Sequence, residues 1–197
     1  MAVDFSGVVI DENLAKAAAK GASENWSWWI EDFRHDGHFR DLPLLSNYPR
    51  WRGFGADYSV FRGIPTSELD GLREWFAAQD DPNEFVGLYA ALMERLPGSQ
   101  RVSLVSKLLA IWRPTEYVMW DTLARNGLRK LHNVRGRRYF DTNLDSYSVF
   151  REDFFALLSK KQGELLELSG VDVAYFDGNP DICAARVLDN YLMLLGE

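Results

Sequence analysis

Residues 94–131 read ERLPGSQRVSLVSKLLAIWRPTEYVMWDTLARNGLRKL, and the punctuation of this stretch decides the fold. Leu96-Pro97-Gly98 ends one helix and turns the chain. Ser99 is placed to cap the next helix, whose apolar positions Val102, Val105, Leu108, Leu109 and Trp112 recur at helical spacing. Arg113-Pro114 stops that helix, because proline lacks an amide donor and clashes with the preceding turn. Val118-Met119-Trp120 then runs straight into Asp121, a good N-cap for the helix beyond. The pattern is helix, tight turn, helix, short loop, helix, with one carboxylate delivered by an apolar loop to a helix start.

The flanking sequence is helical too. Residues 11–22 are alanine-rich and predict a helix closed by Gly21, and Ser23 predicts the cap of a second one carrying Trp26, Trp29, Ile30 and Phe33. Residues 37–65 are irregular and aromatic, with Arg50 and Arg52 on either side of Trp51, a cation beside a stacking ring. Ser67-Glu68-Leu69-Asp70 opens a helix to Gln79, and Asp81-Pro82 opens another that leads into the central turn. Beyond it, residues 133–145 read as a basic loop, 146–161 as an amphipathic helix and 164–168 as a further short one. Asn179-Pro180 starts the last helix, which runs to Gly196. Arg186, Asp189 and Asn190 lie close together on that helix, within reach of a neighbouring cleft, although Arg186 and Asp189 read more simply as a surface salt bridge. FSGVVI, residues 5–10, is the one stretch with strand character. The expected class is all-α, in a single domain over residues 1–197 whose hairpin-containing core covers about 81–132.

Composition narrows the function. Of the residues, 47% are apolar, enough for a core and against disorder. Cys183 is the single cysteine, which excludes a disulfide framework, a cysteine-held zinc site and an iron–sulfur cluster. No metal and no cofactor are expected. No apolar run reaches membrane-spanning length and no signal pattern is seen, so a cytoplasmic protein without membrane contact is expected. No obligate protein partner is implied. The net charge of −7 argues against general nucleic-acid affinity, but its distribution does not. Arg125, Arg129, Lys130, Arg135, Arg137 and Arg138 follow Asp121 with no acid before Asp141. Such a local stripe suits phosphate binding even on an acidic chain.

The Leu96-Pro97-Gly98 turn, the helix after it and the aspartate at the next helix start resemble the helix-hairpin-helix DNA glycosylases, the superfamily of the adenine, alkyladenine and 8-oxoguanine glycosylases. The resemblance is strong over roughly a fifth of the chain. It implies a helical fold with two lobes around a cleft, and a partner that is double-stranded DNA carrying a damaged or modified base. Asp121 falls on the family's catalytic aspartate and would stabilise the sugar cation as the N-glycosidic bond breaks. The turn would hold a phosphate through backbone N–H groups around Pro97, Gly98, Ser99 and Gln100, with Arg101, Ser103 and Lys107 adding side-chain contacts. Arg125, Arg129, Arg135, Arg137 and Arg138 would extend the contact along the DNA backbone. Trp28, Trp51, Trp112, Trp120 and Asp189 are candidates for the pocket of a flipped base.

Two departures from the family pattern are informative. Gln100 stands where the hairpin has its second glycine, and the lysine of the bifunctional members falls on Val102 or Ser103. Lys107 lies one turn further along. A monofunctional enzyme that leaves an abasic site is therefore expected, in repair or in defence against phage whose cytosines are modified.

Two other readings remain open. Arg125-Asn126 followed by His132 resembles the arginine–histidine motif of the HEPN ribonucleases, and the hairpin alone would serve a non-catalytic DNA-binding module. His35-Asp36 lacks the preceding histidine that an HD phosphohydrolase needs.

Overall fold

The computed structural model describes residues 3–33, 94, 101–131, 139, 141 and 143–197; for residues 25, 27–33, 101, 104, 108, 111 and 112 the description is of the backbone alone. The described helices are α1 (Glu12–Phe33), α2 (Arg101–Trp112), α3 (Thr122–Leu131), α4 (Leu144–Ser169) and α5 (Pro180–Gly196), with a 3-10 turn at Val173–Phe176. Among the described residues 74% are helical and none is in a strand, so the chain is all-α there. The helices predicted over 67–79 and from Pro82, the aromatic segment 37–65 and the hairpin turn lie outside the described residues.

α5 is the hub. Asn179 caps it by accepting from the N–H groups of Asp181 and Ile182, and Pro180 occupies the first turn, where its missing amide costs nothing. Its sequence is apolar nearly all round, which is the signature of a helix surrounded by others. α1, α3 and α4 pack against it, and Cys183, Val187, Leu188, Tyr191 and Leu192 are buried as a result. The Tyr191 hydroxyl accepts the N–H of Asp11, and the Asp11 carboxylate caps α1 by accepting from Leu14.

α3 approaches α5 more closely than side chains would allow. A Cβ on Gly127 would lie 2.0 Å from the Leu192 carbonyl oxygen, and one on Gly196 would lie 2.0 Å from that of Leu123. Two glycines, one on each helix, thus let the backbones touch at two points. The contact fixes α3, and with it Asp121 just before its first turn.

Three sequence expectations need correction. The helix expected to close at Gly21 and the one expected from Ser23 are a single helix, α1. Gly21 is inside it because the helix passes close to α5 there: an added Cβ would meet Asn190 Oδ1 at 3.2 Å. The helices expected at 146–161 and 164–168 are likewise one, α4. Its buried stripe continues from Leu157 and Leu158 to Leu165 past Gly163, and the helix ends only at Gly170 in the left-handed conformation. Residues 5–10 are not a strand: Ser6 and Gly7 form a turn, with Val8 N–H donating to Phe5 O. Phe5, Val8 and Ile10 are the buried positions, a spacing that seats the segment on the helical core.

Candidate functional site

The loop that carries Asp121 is held by two serines of α2. Ser106 Oγ accepts the Trp120 N–H at 2.9 Å and donates to Ser103 O, while Ser103 Oγ donates to the Trp120 carbonyl at 3.2 Å. Both backbone groups of Trp120 are thus satisfied by α2. On the other side the Tyr147 hydroxyl donates to Val118 O at 2.9 Å. The Trp120 ring is 3% exposed and meets Tyr147 and Phe150 edge-on, with the Arg125 guanidinium 4.4 Å from its centroid. Trp120 is thus tied to α2 by its backbone and to α3 and α4 by its ring.

Asp121 is the predicted cap. Its Oδ1 accepts the Leu123 N–H at 2.8 Å, and the first turn closes with Arg125 N–H on Asp121 O. It is half-buried at the N-terminus of α3. Beside it is a small cavity lined by Lys107, Met119, Asp121, Arg186, Asp189, Asn190 and Met193. Its volume is about 10 Å³, the scale of a single water. Two carboxylates and two cations therefore converge from α2, the α3 start and α5.

The two inner groups are perturbed by burial. Asp189, 2% exposed, is pushed up to about 6, first by loss of water and then by the Asp121 charge, while Arg186 and Lys107 oppose the rise. Burial moves Lys107 down, and Asp121 and Asp189 oppose that. Arg186 reaches Asp189 Oδ2 at 3.4 Å, and the Asn190 amide donates to Arg186 O. Asp189 Oδ1 is buried without a hydrogen bond from a described residue.

Several predicted contacts are therefore not surface contacts. Lys107, expected on a DNA phosphate, is 6% exposed and faces the cavity. Ser103, expected there too, braces Trp120. Trp120, expected to stack on a base, is core. Arg125 is committed within the protein: Nε donates to Asp121 O, one terminal nitrogen to Tyr139 O at 2.9 Å and the other to Thr122 Oγ1 at 2.9 Å. Three of its five N–H donors are thus engaged within the protein. Arg129 is half-buried at the end of α3. The Arg186–Asp189 pair, expected on the surface, is buried because α5 is enclosed. The alternative reading of Arg186, Asp189 and Asn190 as neighbours of a cleft fits the cavity they line.

Pro97, Gly98, Ser99, Gln100, Trp51, His132, Arg135, Arg137 and Arg138 lie outside the described residues, as do the side chains of Trp28, Arg101 and Trp112. Ser106 and Met193 are the site residues that the sequence did not single out. A serine inside the otherwise apolar stripe of α2 was the available signal for the first. Among the described residues no three His, Cys, Asp or Glu side chains gather as a metal-ligand set, and no helix is long and apolar enough to cross a membrane. Compared with protein-family models, with curated proteins and with solved structures, the chain matches none.

Proposed function

We propose that the chain is a monofunctional DNA glycosylase of the helix-hairpin-helix kind, with two lobes around a cleft, and that it hydrolyses the N-glycosidic bond of a damaged or modified base in duplex DNA. The supporting observation is Asp121: a half-buried carboxylate fixed at a helix start, on the edge of a cavity that also receives Lys107 and Asp189. Glycosidic cleavage develops positive charge on the sugar, and a fixed anion beside it lowers the barrier without reorganising. The rigid mounting of the Trp120–Asp121 loop suits that demand better than it suits a mere helix cap. The sugar would dock at the mouth of the cavity, since the cavity itself is the size of a water and not of a base.

The test is incubation of the protein with duplexes carrying damaged purines or modified cytosines, followed by alkaline cleavage at abasic sites. Asp121→Asn retains much of the capping ability, so stability should fall by less than about 1 kcal/mol. Excision should fall by about 10²-fold or more while DNA binding persists. Full excision by Asp121→Asn would remove Asp121 from the chemistry. Borohydride should trap no covalent complex with the unmodified protein, because the proposed nucleophile is water. A trapped complex that disappears with Lys107→Ala would overturn the monofunctional assignment.

A further inference from the structure

Asp189 Oδ1 is the observation that the glycosidic reading leaves unused. It is a carboxylate oxygen in the core of the protein, on the central helix, with no hydrogen bond from a described residue. A buried acceptor left without a donor carries a substantial desolvation cost, so a donor is expected beside it. Asp189 is one of the residues that line a cavity of about 10 Å³, together with Lys107 and Asp121. A polar cavity of that size with several hydrogen-bonding walls is suited to one water and to nothing larger. Among the described residues, Arg186 comes from the same helix, Lys107 from α2 and Asp121 from the start of α3.

We propose that this cavity seats the attacking water, with Asp189 as the base that takes its proton and Asp121 as the anion that faces the sugar. The proposal rests on the glycosylase reading. In the step, the water oxygen bonds to the anomeric carbon as the carbon–nitrogen bond breaks. The electron pair of that bond leaves on the base nitrogen, which takes a proton from solvent. One water proton passes to the Asp189 carboxylate, and the carboxyl later returns it to solvent. The two carboxylates thus divide the work by depth: Asp121 at the rim near the sugar, Asp189 enclosed. The raised pKa of about 6 suits this role, since a base works best when its pKa lies near the working pH.

Two measurements test the proposal separately from the reading beneath it. A high-resolution crystal structure of the wild-type protein should show an ordered water in this cavity within hydrogen-bonding distance of the Asp189 carboxylate. Its absence would overturn the water seat whatever the activity. Single-turnover excision by the wild type should fall about tenfold per pH unit below about pH 6. A flat profile across that range would overturn the role of base, and needs no variant that might unfold. In Asp189→Asn the acid limb should vanish and the rate at neutral pH should drop about 10²-fold, with duplex affinity unchanged. A variant with the wild-type rate and limb would also overturn it. A wild-type protein that holds the water yet excises no base in the panel would overturn the glycosylase reading and the base role together, and leave the water seat standing.

Discussion

Asp189 makes stability depend on pH in a direction opposite to the usual carboxylate. Its folded pKa is raised to about 6 from an ordinary 3.8, so the folded state binds the proton more tightly than the unfolded chain. The favourable contribution is fully present below about pH 4 and is lost as pH rises through about 6. A rise of that size corresponds to a stability change on the order of 3 kcal/mol. Asp189→Asn has no such titration. Urea unfolding at a series of pH values should therefore show the wild type losing stability relative to Asp189→Asn between about pH 4 and 7, and a constant difference would refute the account. The difference follows the titration of Asp189, including its ion pair with Arg186, which forms only as Asp189 ionises. The sequence offers Asp189 both as a pocket residue and as half of a surface ion pair. Spacing three residues apart on a helix supports either. Only the enclosure of α5 by three other helices decides, and that is not a local property.

The glycines separate what is legible in an element from what is not. The ends of α2 and α5 are readable because proline, asparagine and a run of apolar residues act locally. Gly21 reads as a helix end for the same reason, since local rules give glycine one meaning and packing gives it another. Gly127 has no reading, and Gly196 only that of a helix end, until the helices are placed together. Their roles predict contrasting responses. Gly127→Ala drives a methyl into the Leu192 carbonyl, which is backbone and cannot turn aside. It should cost about 3 kcal/mol, and it should also impair excision by moving α3 and Asp121. Gly163→Ala meets nothing within 4 Å and lies at an exposed position inside α4. It should stabilise the protein by about 0.5–1 kcal/mol and leave excision alone. Thermal unfolding of the two variants side by side is the check.

At the scale of the whole molecule, the question is how an acidic chain would hold DNA. With the six basic residues after Asp121 set aside, the remaining charge is strongly negative, so duplex binding would depend on where those six point. Part of the stripe serves the fold: Arg125 ties Asp121, Thr122 and Tyr139 together over the Trp120 ring, and Lys130 Nζ donates to Leu195 O at the end of α5. The sequence could not separate these from binding residues, because a guanidinium that braces a loop and one that meets a phosphate look alike in a string of letters. The two roles predict different responses. Arg125→Ala removes hydrogen bonds and a cation–π contact inside the protein, so it should lower the melting temperature and reduce excision through the Asp121 loop. Arg137→Ala and Arg138→Ala should leave the melting temperature unchanged and weaken all duplexes alike. Where the arginine meets a phosphate, its removal should also reduce the slope of log affinity against log salt by about 0.9. Affinity titrations at several salt concentrations, run beside thermal unfolding, distinguish the outcomes. Unchanged salt slopes in both variants would place the DNA elsewhere on the surface, and the acidic remainder of the chain would then repel it.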